Sequence, residues 1–278
     1  MKKHTPVIWF GLFLLLVFLT LPTAFAQSNK LLIVDFGSIA PVNKMSPSLP
    51  FTLPVTTQAV QFNSSGLSAV KTGHRIPAER LTFSADTITK RRGEVAVYQL
   101  KIQLLPSDPP GEYEGFVDVV CPDANGAQPI SLLVKVEILP WVRIEPANTN
   151  PLLTIAESPF LTEGNLSART PVKILLASNA PWRLLLRLGS KTPFKAPPFP
   201  FQIGIGKTLK TEDFKERMLP NDDYRPVAFG APTVVGDGST PANYWTELYC
   251  TVSIANWHHY PTGDYDTSMF FAAETVVP

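Results

Sequence analysis

The sequence predicts an all-β protein made of two tandem antiparallel β-sandwich domains that follow a cleaved signal peptide. Three observations lead to this prediction: apolar residues at every second position, a high proline content and one phrase that occurs twice. The 278 residues include 28 prolines, about twice the usual share, beside plentiful aromatic residues. This mixture is typical of many short strands joined by stiff turns. The best helical candidate is only the short segment 211–217.

The first 26 residues form the candidate signal peptide. Two lysines precede an apolar run at 7–21, and Ala24-Phe25-Ala26 follows with the small residues that signal peptidase requires. A transmembrane anchor is the alternative, but the run is short for a membrane span. We therefore expect a mature chain that begins near Gln27 and keeps no stable membrane span after signal cleavage.

Strand alternation is clearest in the first half of the chain. Three segments, 98–104, 113–121 and 130–138, carry apolar residues at alternate positions. We expect them to form an antiparallel sheet with one face on a core and the other in water. The inward rows are Tyr98, Leu100, Ile102 and Leu104; Tyr113, Val117, Val119 and Cys121; and Ile130, Leu132, Val134, Val136 and Ile138.

The phrase Pro-x-Gly-acid-Tyr-acid occurs at 109–114 and again at 261–266. A shift of 152 residues, the difference between 113 and 265, superposes the two copies and places Ile254 on Ile102 without a gap. Matching registers in two strands and the loop between them indicate an internal repeat. We therefore predict two domains, 27–140 and 141–278, joined near Pro140.

The repeated phrase predicts a structural motif. Gly111 and Gly263 turn the chain between strands, and Tyr113 and Tyr265 lie just inside the next strand. An inward tyrosine whose hydroxyl returns to the backbone of the turn is the tyrosine corner of Greek-key sandwiches. We expect these four residues to stabilise the fold and to take no part in catalysis.

The segment 171–189 predicts a hairpin in the second domain, with its turn at 178–181. The inward residues are Val172, Ile174 and Leu176 before the turn, and Trp182, Leu184, Leu186 and Leu188 after it, with Arg183 and Arg187 facing outward. A weaker counterpart at 49–67 lacks the tryptophan.

The pattern Ser-Asn-x-Pro-Trp-x-Leu, followed later by Gly-x-Tyr, resembles bacterial extracellular Ig-like sandwiches, among them WxL-type surface domains, spore-coat-U-like proteins and fimbrial subunits. The resemblance covers 170–278 in its motifs and 31–140 in architecture only. It implies two Ig-like domains and a secreted or cell-surface structural role. Only one Trp-x-Leu is present, so the peptidoglycan-binding signature of WxL domains is incomplete. The matching residues are Ser178, Asn179, Pro181, Trp182, Leu184, Gly263 and Tyr265.

No catalytic, cofactor or metal site is predicted. The pair His258-His259 lies near two aspartates, but adjacent histidines at a strand end point to opposite sides and no metal-ligand spacing supports them. The segment 204–207, Gly-Ile-Gly-Lys, lacks the strand–turn–helix context of a phosphate loop. A net charge of +1 gives no basic surface for nucleic acid. We therefore predict a protein that is not an enzyme and has no nucleic-acid partner.

The segment 189–226 is predicted to be a long insertion between strands of the second domain. It is either a lid over one end of the sandwich or a contact loop for a protein or a glycan. The candidate contact residues are Phe194, Phe199, Phe201, Lys191, Lys195 and Lys207.

Three functions remain open at this point. The first is a non-enzymatic secreted, periplasmic or cell-surface protein for structure, adhesion or fimbria-like assembly, which binds a protein partner or itself. The alternative is a carbohydrate-binding or hydrolase-accessory module. A third is a periplasmic pilus-assembly chaperone, a class that also has two Ig-like domains.

Two further expectations follow from the repeat. Cys121 and Cys250 fall on inward rows of different domains, so we predict two buried free thiols rather than a disulfide. The same shift carries the strand 130–138 to 282–290, beyond residue 278, so the second domain is expected to lack that strand. Either the chain fills the gap, through 189–226 or 152–156, or a neighbouring subunit donates a strand, for which 27–36 is the candidate.

Overall fold

The structure is a computed structural model that describes residues 30–53, 60–85, 96–120, 130–147, 166–167, 171–189, 201–207, 216–218, 223–234, 244–254 and 268–276. The predicted signal peptide at 1–26 lies outside these residues. Apart from one 3-10 turn at Ala78–Arg80, the regular elements are strands, so the all-β prediction is confirmed.

Two sheets form what we call the N-terminal sandwich. Sheet 1 has the order β1-β9-β8-β4-β5, with β3 beside β4 on β8, and β1 runs parallel to β9 while the other pairs are antiparallel. Sheet 2 has the order β2-β7-β6. The strands are β1 (Lys30–Ile39), β2 (Ser48–Leu53), β3 (Gln61–Ser64), β4 (Leu67–Ala69), β5 (Arg75–Ile76), β6 (Leu81–Ala85), β7 (Ala96–Ile102), β8 (Gly111–Val120) and β9 (Ile130–Ile138).

Two further sheets form the C-terminal sandwich. Sheet 3 has the order β10-β12-β17-β14-β15, with β11 also on β17, and sheet 4 has the order β16-β13-β18. The strands are β10 (Val142–Pro146), β11 (Leu166–Ser167), β12 (Val172–Ser178), β13 (Trp182–Gly189), β14 (Phe201–Gly206), β15 (Glu216–Met218), β16 (Arg225–Gly230), β17 (Thr246–Ile254) and β18 (Ser268–Thr275).

Each sandwich has its own apolar core, built from the inward rows that alternation predicts. Leu100, Val117 and Leu132 are fully buried in the first core, and Leu184 and Cys250 in the second. Burying one such aliphatic side chain contributes about 1.5–3 kcal/mol. The two sandwiches are therefore stabilised by separate sets of apolar contacts.

The strands equivalent by the repeat also pair in equivalent ways. Tyr98 of β7 lies opposite Phe51 and Ala85, and Cys250 of β17 lies opposite Val172 and Ile205. Since β2 and β6 flank β7 as β12 and β14 flank β17, the repeat extends to the order of the strands.

Two predictions of sheet membership are wrong. The segments 98–104, 113–121 and 130–138 do not share a sheet, because β7 lies in sheet 2 while β8 and β9 lie in sheet 1. Likewise 171–189 is not a hairpin, because β12 belongs to sheet 3 and β13 to sheet 4. Alternation identifies the face that meets the core, but two facing sheets share that core, so it cannot assign a strand to either of them.

The interval 189–226 is not a loop throughout. It contains β14, which pairs with β17 in the place that β6 takes on β7, and it contains β15. Alternate apolar residues at 201, 203 and 205 carried this signal among the surrounding prolines. The helix predicted at 211–217 is also wrong where it is described, since Glu216 and Arg217 lie in β15.

Candidate functional site

Most of the predicted contact residues lie outside the part of the chain that the structure describes. These are Phe194, Phe199, Lys191 and Lys195, and the same holds for Gly263, Tyr265, Cys121 and the pair His258-His259. Phe201 opens β14, where it is registered with Met218 and Ile254, and Lys207 is exposed directly after that strand. The described residues therefore do not assemble the predicted contact loop.

The first copy of the repeated phrase forms a closed corner between sheet 2 and sheet 1. The hydroxyl of Tyr113 donates a hydrogen bond to the carbonyl of Pro109 at 2.9 Å, and Gly111 has a φ of 146°, a conformation that favours glycine. Burial, with a smaller contribution from Asp108, raises the pKa of Tyr113 to about 12. This is the geometry of a tyrosine corner, in which the hydroxyl stays protonated and holds the turn.

Asp108 and Arg80 brace the same corner. An Arg80 nitrogen donates to a carboxylate oxygen of Asp108 at 2.9 Å, and the amide of Leu105 donates to the other oxygen at 2.7 Å. Asp108 is 7% exposed, so its charge is compensated by the guanidinium and the amide rather than by bulk water.

The residues Ser178 and Asn179 connect the two sandwiches. The side-chain oxygen of Asn179 accepts from the amide of Trp141 at 2.8 Å, and its nitrogen donates to the carbonyls of Asp108 at 3.1 Å and Leu139 at 3.3 Å. The Ser178 hydroxyl donates to the carbonyl of Trp141 at 2.8 Å. The pair is buried and ties the crossing between β12 and β13 to the linker and to the tyrosine corner.

Sequence reasoning identified Ser178 and Asn179 only as parts of a family-like motif. Beside them a small apolar cluster of Trp141, Ala177, Val234 and Tyr244 fills the space at the junction. The sequence does contain a signal, because two polar residues interrupt an apolar run at a turn, where buried backbone groups need side-chain partners. Here the backbone groups belong to the linker and to the neighbouring sandwich.

The far edge of β18 is the main structural difference between the sandwiches. In sheet 1, β8 has strands on both sides, with β9 on one and β3 and β4 on the other. In the described part of sheet 4, β18 pairs with β13 alone. The core-facing residues Met269, Phe271 and Ala273 are only partly buried, whereas Val117 and Val119, their counterparts on β8, are buried.

The segments considered as fillings of this edge lie elsewhere or outside the described residues. β14 pairs with β17 in sheet 3, and 152–156 is not described. The proposed donor strand at 27–36 is wrong for this structure, because β1 pairs with β9 in its own sandwich and buries Val34 there. Strand β10, which pairs with β12 of sheet 3, also comes within 8 Å of β18 between Cα atoms. The open side is thus bounded by β10 and β18.

The pKa shifts of the described groups follow from burial or from surface hydrogen bonds. Cys250 is a buried free thiol, and burial raises its pKa to about 12. On the surface, a hydrogen bond from Lys173 lowers the pKa of Glu247. No group of three metal-ligating side chains occurs among the described residues, and no helix among them is long and apolar enough to cross a membrane.

No protein-family model and no curated protein matches the sequence. Solved structures overlap most of the chain at low identity. A complex of the chaperone CsuC with the tip adhesion subunit CsuE, from archaic chaperone–usher Csu pili of Acinetobacter baumannii, gives 11% identity over 88% of this chain and 98% of that chain, with a TM-score of 0.41. CfaE, the adhesive subunit of CFA/I fimbria of enterotoxigenic Escherichia coli, gives 8% identity over 90% and 98%, with a TM-score of 0.37.

A chaperone–tip adhesin complex of CFA/I fimbriae biogenesis gives 9% identity over 89% of this chain and 97% of that chain, with a TM-score of 0.35. TM-scores below 0.5 at such identities do not establish a common function.

Proposed function

We propose that the chain is a non-enzymatic secreted, periplasmic or cell-surface assembly subunit that accepts an extended segment of a partner protein at the open edge of β18. One observation carries the proposal: β8 has neighbours on both edges, β9 on one and β3 and β4 on the other, whereas among the described residues β18 at the equivalent position pairs with β13 alone. An unpaired strand edge offers amide and carbonyl groups in the spacing that another strand requires. Pairing by strand addition gives affinity through the backbone and specificity through alternate side chains.

The N-terminal sandwich indicates the chemistry of a fitting segment. In β9, the five residues Ile130, Leu132, Val134, Val136 and Ile138 all face the core beside β8 and are buried. A segment that completes the C-terminal sandwich needs a similar pattern, with apolar residues at alternate positions over about nine residues and polar residues between them. Met269, Phe271 and Ala273 would then lose their remaining exposure.

The proposal of a non-enzymatic role has support from the strongly shifted groups. Perturbed pKa values are common at catalytic sites. Here the raised pKa of Tyr113 belongs to a hydroxyl that donates to Pro109, and that of Cys250 belongs to a thiol enclosed in the second core. Both groups are held in their neutral forms by burial, which suits packing rather than proton transfer or nucleophilic attack.

We also propose that the two sandwiches are tandem domains that meet near Pro140-Trp141.

A synthetic peptide with the sequence of β9, residues 129–139, tests the strand-acceptor function on the purified mature chain. We expect the peptide to raise the thermal midpoint of the C-terminal sandwich and to shift the amide resonances of β18. The control is a peptide of the same composition in which apolar and polar residues no longer alternate. If both peptides act alike, or neither shifts β18, the proposed strand-acceptor function is wrong.

The other functions predict different results with the same preparation. A chain that captures pilin-like subunits one-to-one and does not assemble is the chaperone alternative. A chain that binds immobilised glycans, with no response to the β9 peptide, is the carbohydrate-binding alternative.

A further inference from the structure

The solvent face of sheet 1 changes from apolar to acidic along its strands. Ile33, Leu133 and Phe116 are direct cross-strand neighbours on β1, β9 and β8, and Ile33 and Phe116 are 63% and 57% exposed. Cross-strand neighbours in such a row act as one apolar surface. We call this surface the acidic face because its exposed carboxylates outnumber its two described cations, Lys135 and Arg75, of which Lys135 pairs with Glu114 at 3.7 Å. The carboxylates belong to Asp35, Glu112, Glu114, Asp118 and Glu137.

The solvent face of sheet 4 has the opposite character. The guanidinium of Arg187 lies 5.3 Å from the ring centroid of Tyr224 and 4.8 Å from that of Phe270. No described carboxylate comes within ion-pairing distance of Arg187, whereas Arg183 on the same strand pairs with Glu274. We call this surface, formed by Arg183, Leu185, Arg187, Tyr224, Phe229 and Phe270, the arginine–aromatic face.

Exposure on the arginine–aromatic face is unusually high for large apolar residues. Phe229 is 68% exposed and Phe270 is 41% exposed. Two aromatic rings also hold the Arg187 side chain in place, so an arriving carboxylate meets a cation whose conformation is already restricted. A cluster of exposed rings around an arginine is typical of a surface that binds another protein.

The two faces match in the spacing of their rows. On sheet 1, the row of Ile33, Leu133 and Phe116 lies two residues from the row of Asp35, Lys135 and Glu114. On sheet 4, the row of Pro226, Leu185 and Ala272 lies two residues from Arg187 and its rings. Two residues along a strand span about 7 Å in both cases. An apolar row can therefore cover an apolar row while Arg187 reaches the carboxylate row.

We propose that the acidic face of one copy docks on the arginine–aromatic face of a second copy. The faces belong to different sandwiches, so each copy carries one of each, and the contact is head-to-tail and extends to further copies. This contact uses sheet faces and does not depend on strand addition at the edge of β18. Three strands give a face about 14 Å wide, which over strands about 20 Å long covers roughly 300 Å². This is well below the roughly 800 Å² per partner of a standard stable interface, so one contact alone is weak.

A complementation experiment on the full mature chain tests the contact. Arg187→Glu damages only the arginine–aromatic face, and Glu114→Arg damages only the acidic face. In sedimentation velocity at increasing concentration, we expect the wild type to associate and each variant to associate at least 10-fold more weakly. When the two variants are mixed, the intact faces can meet and the two reversed charges are also of opposite sign, so we expect the mixture to regain association. Added salt should weaken the wild-type association.

Matched surface variants control for charge alone. Lys44→Glu and Glu79→Arg make the same charge changes at exposed sites outside both faces, and we expect them to associate like the wild type. Unchanged circular dichroism and thermal midpoints establish that Arg187→Glu and Glu114→Arg remain folded.

Several results would overturn the head-to-tail contact. They are a wild type that stays monomeric at millimolar concentration, variants that associate normally, or a mixture that does not regain association. Association that survives both charge changes but is abolished by the β9 peptide would place self-assembly at the β18 edge, which refutes this contact and leaves the proposed function standing.

Discussion

The strands β8 and β18 take equivalent positions in the two sandwiches, but their surroundings differ. β8 is enclosed by β9 on one edge and by β3 and β4 on the other, and Val117 is fully buried. β18 has β13 as its one described neighbour, and its core-facing side chains keep part of their exposure. The same local sequence pattern thus gives a strand with neighbours on both edges in one case and, among the described residues, on one edge in the other, because the neighbouring strands come from elsewhere in the chain.

The first strand of each sandwich also pairs in a different way. β1 runs parallel to β9 in sheet 1, whereas β10 runs antiparallel to β12 in sheet 3. Among the described residues no strand takes the place of β9 beside β18, and β10 pairs with β12 of the opposite sheet.

The largest expected effect comes from a charge placed on β8 or on β18. Val117 and Met269 are related by the repeat. Val117→Asp should lower the free energy of unfolding by about 4 kcal/mol or more, because an unpaired carboxylate would be buried. Met269→Asp should cost roughly half as much, because that side chain keeps contact with water. Urea unfolding followed by circular dichroism measures both, and equal losses would contradict the open edge.

The next largest effect on stability is expected from replacing Gly115 or Gly189 by alanine. A Cβ added to Gly115 would lie 2.3 Å from the backbone oxygen of Gly66, which lies between β3 and β4 and cannot move without shifting those strands. A Cβ added to Gly189 would meet the ring of Phe270 at 2.7 Å, and that ring is exposed enough to turn away. Gly115→Ala should therefore cost about 2–3 kcal/mol and Gly189→Ala less than about 1 kcal/mol. Chemical denaturation of both variants checks this order.

The junction between the sandwiches should respond to Asn179→Ala. This change removes three hydrogen bonds and leaves the buried amide of Trp141 without its acceptor, at a cost of about 1–3 kcal/mol. In calorimetry we expect the unfolding of the two sandwiches to separate into two transitions. Asn63→Ala, at an exposed position of β3, is the control and should leave the calorimetric profile unchanged. A single unaltered transition in Asn179→Ala would show that Asn179 does not couple the sandwiches.

The smallest expected effect is the loss of folding stability at alkaline pH. Folding raises the pKa of Cys250 from 9.0 and of Tyr113 from 10.0, both to about 12. Above the unfolded pKa, the unfolded chain releases these protons before the folded chain does, so stability is complete below that pH and is lost as the pH rises toward 12. Tryptophan fluorescence reports on the C-terminal sandwich, because the sequence has no tryptophan between Trp9, in the predicted signal peptide, and Trp141. Cys250→Ala should remove the loss of stability of the C-terminal sandwich that begins near pH 9, and an unchanged onset would contradict the raised pKa of the Cys250 thiol.

Much of the fold could be predicted from the alternation of apolar residues, and the limits have a physical origin. The buried rows of β7, β8 and β9 could be predicted because period-two alternation is a local property of a strand. Whether β7 joins β8 or faces it depends on pairings distant in sequence, which alternation does not encode. The strand β14 was missed because prolines and glycines around it resemble a loop.

The candidate site was less accessible to sequence reasoning. The repeat predicted a difference beside β18, but it could not predict that β10 pairs with β12. The acidic face and the arginine–aromatic face each combine residues from three strands, so they exist only once register is known. Ile33 and Phe116, for example, lie 83 positions apart, the difference between their numbers, and become neighbours only through Leu133.

Hydrogen exchange of the backbone amides in the monomeric chain tests the open edge of β18 most directly. In β8, amides on both edges are bonded to neighbouring strands, so we predict protection along the whole strand. In β18, only the alternate amides that bond to β13 should be protected, and the others should exchange orders of magnitude faster. The β9 peptide should then slow the fast set and leave the slow set unchanged. Uniform protection along β18 in the monomer, equal to that of β8, would contradict the account, because it would mean that the chain already closes this edge.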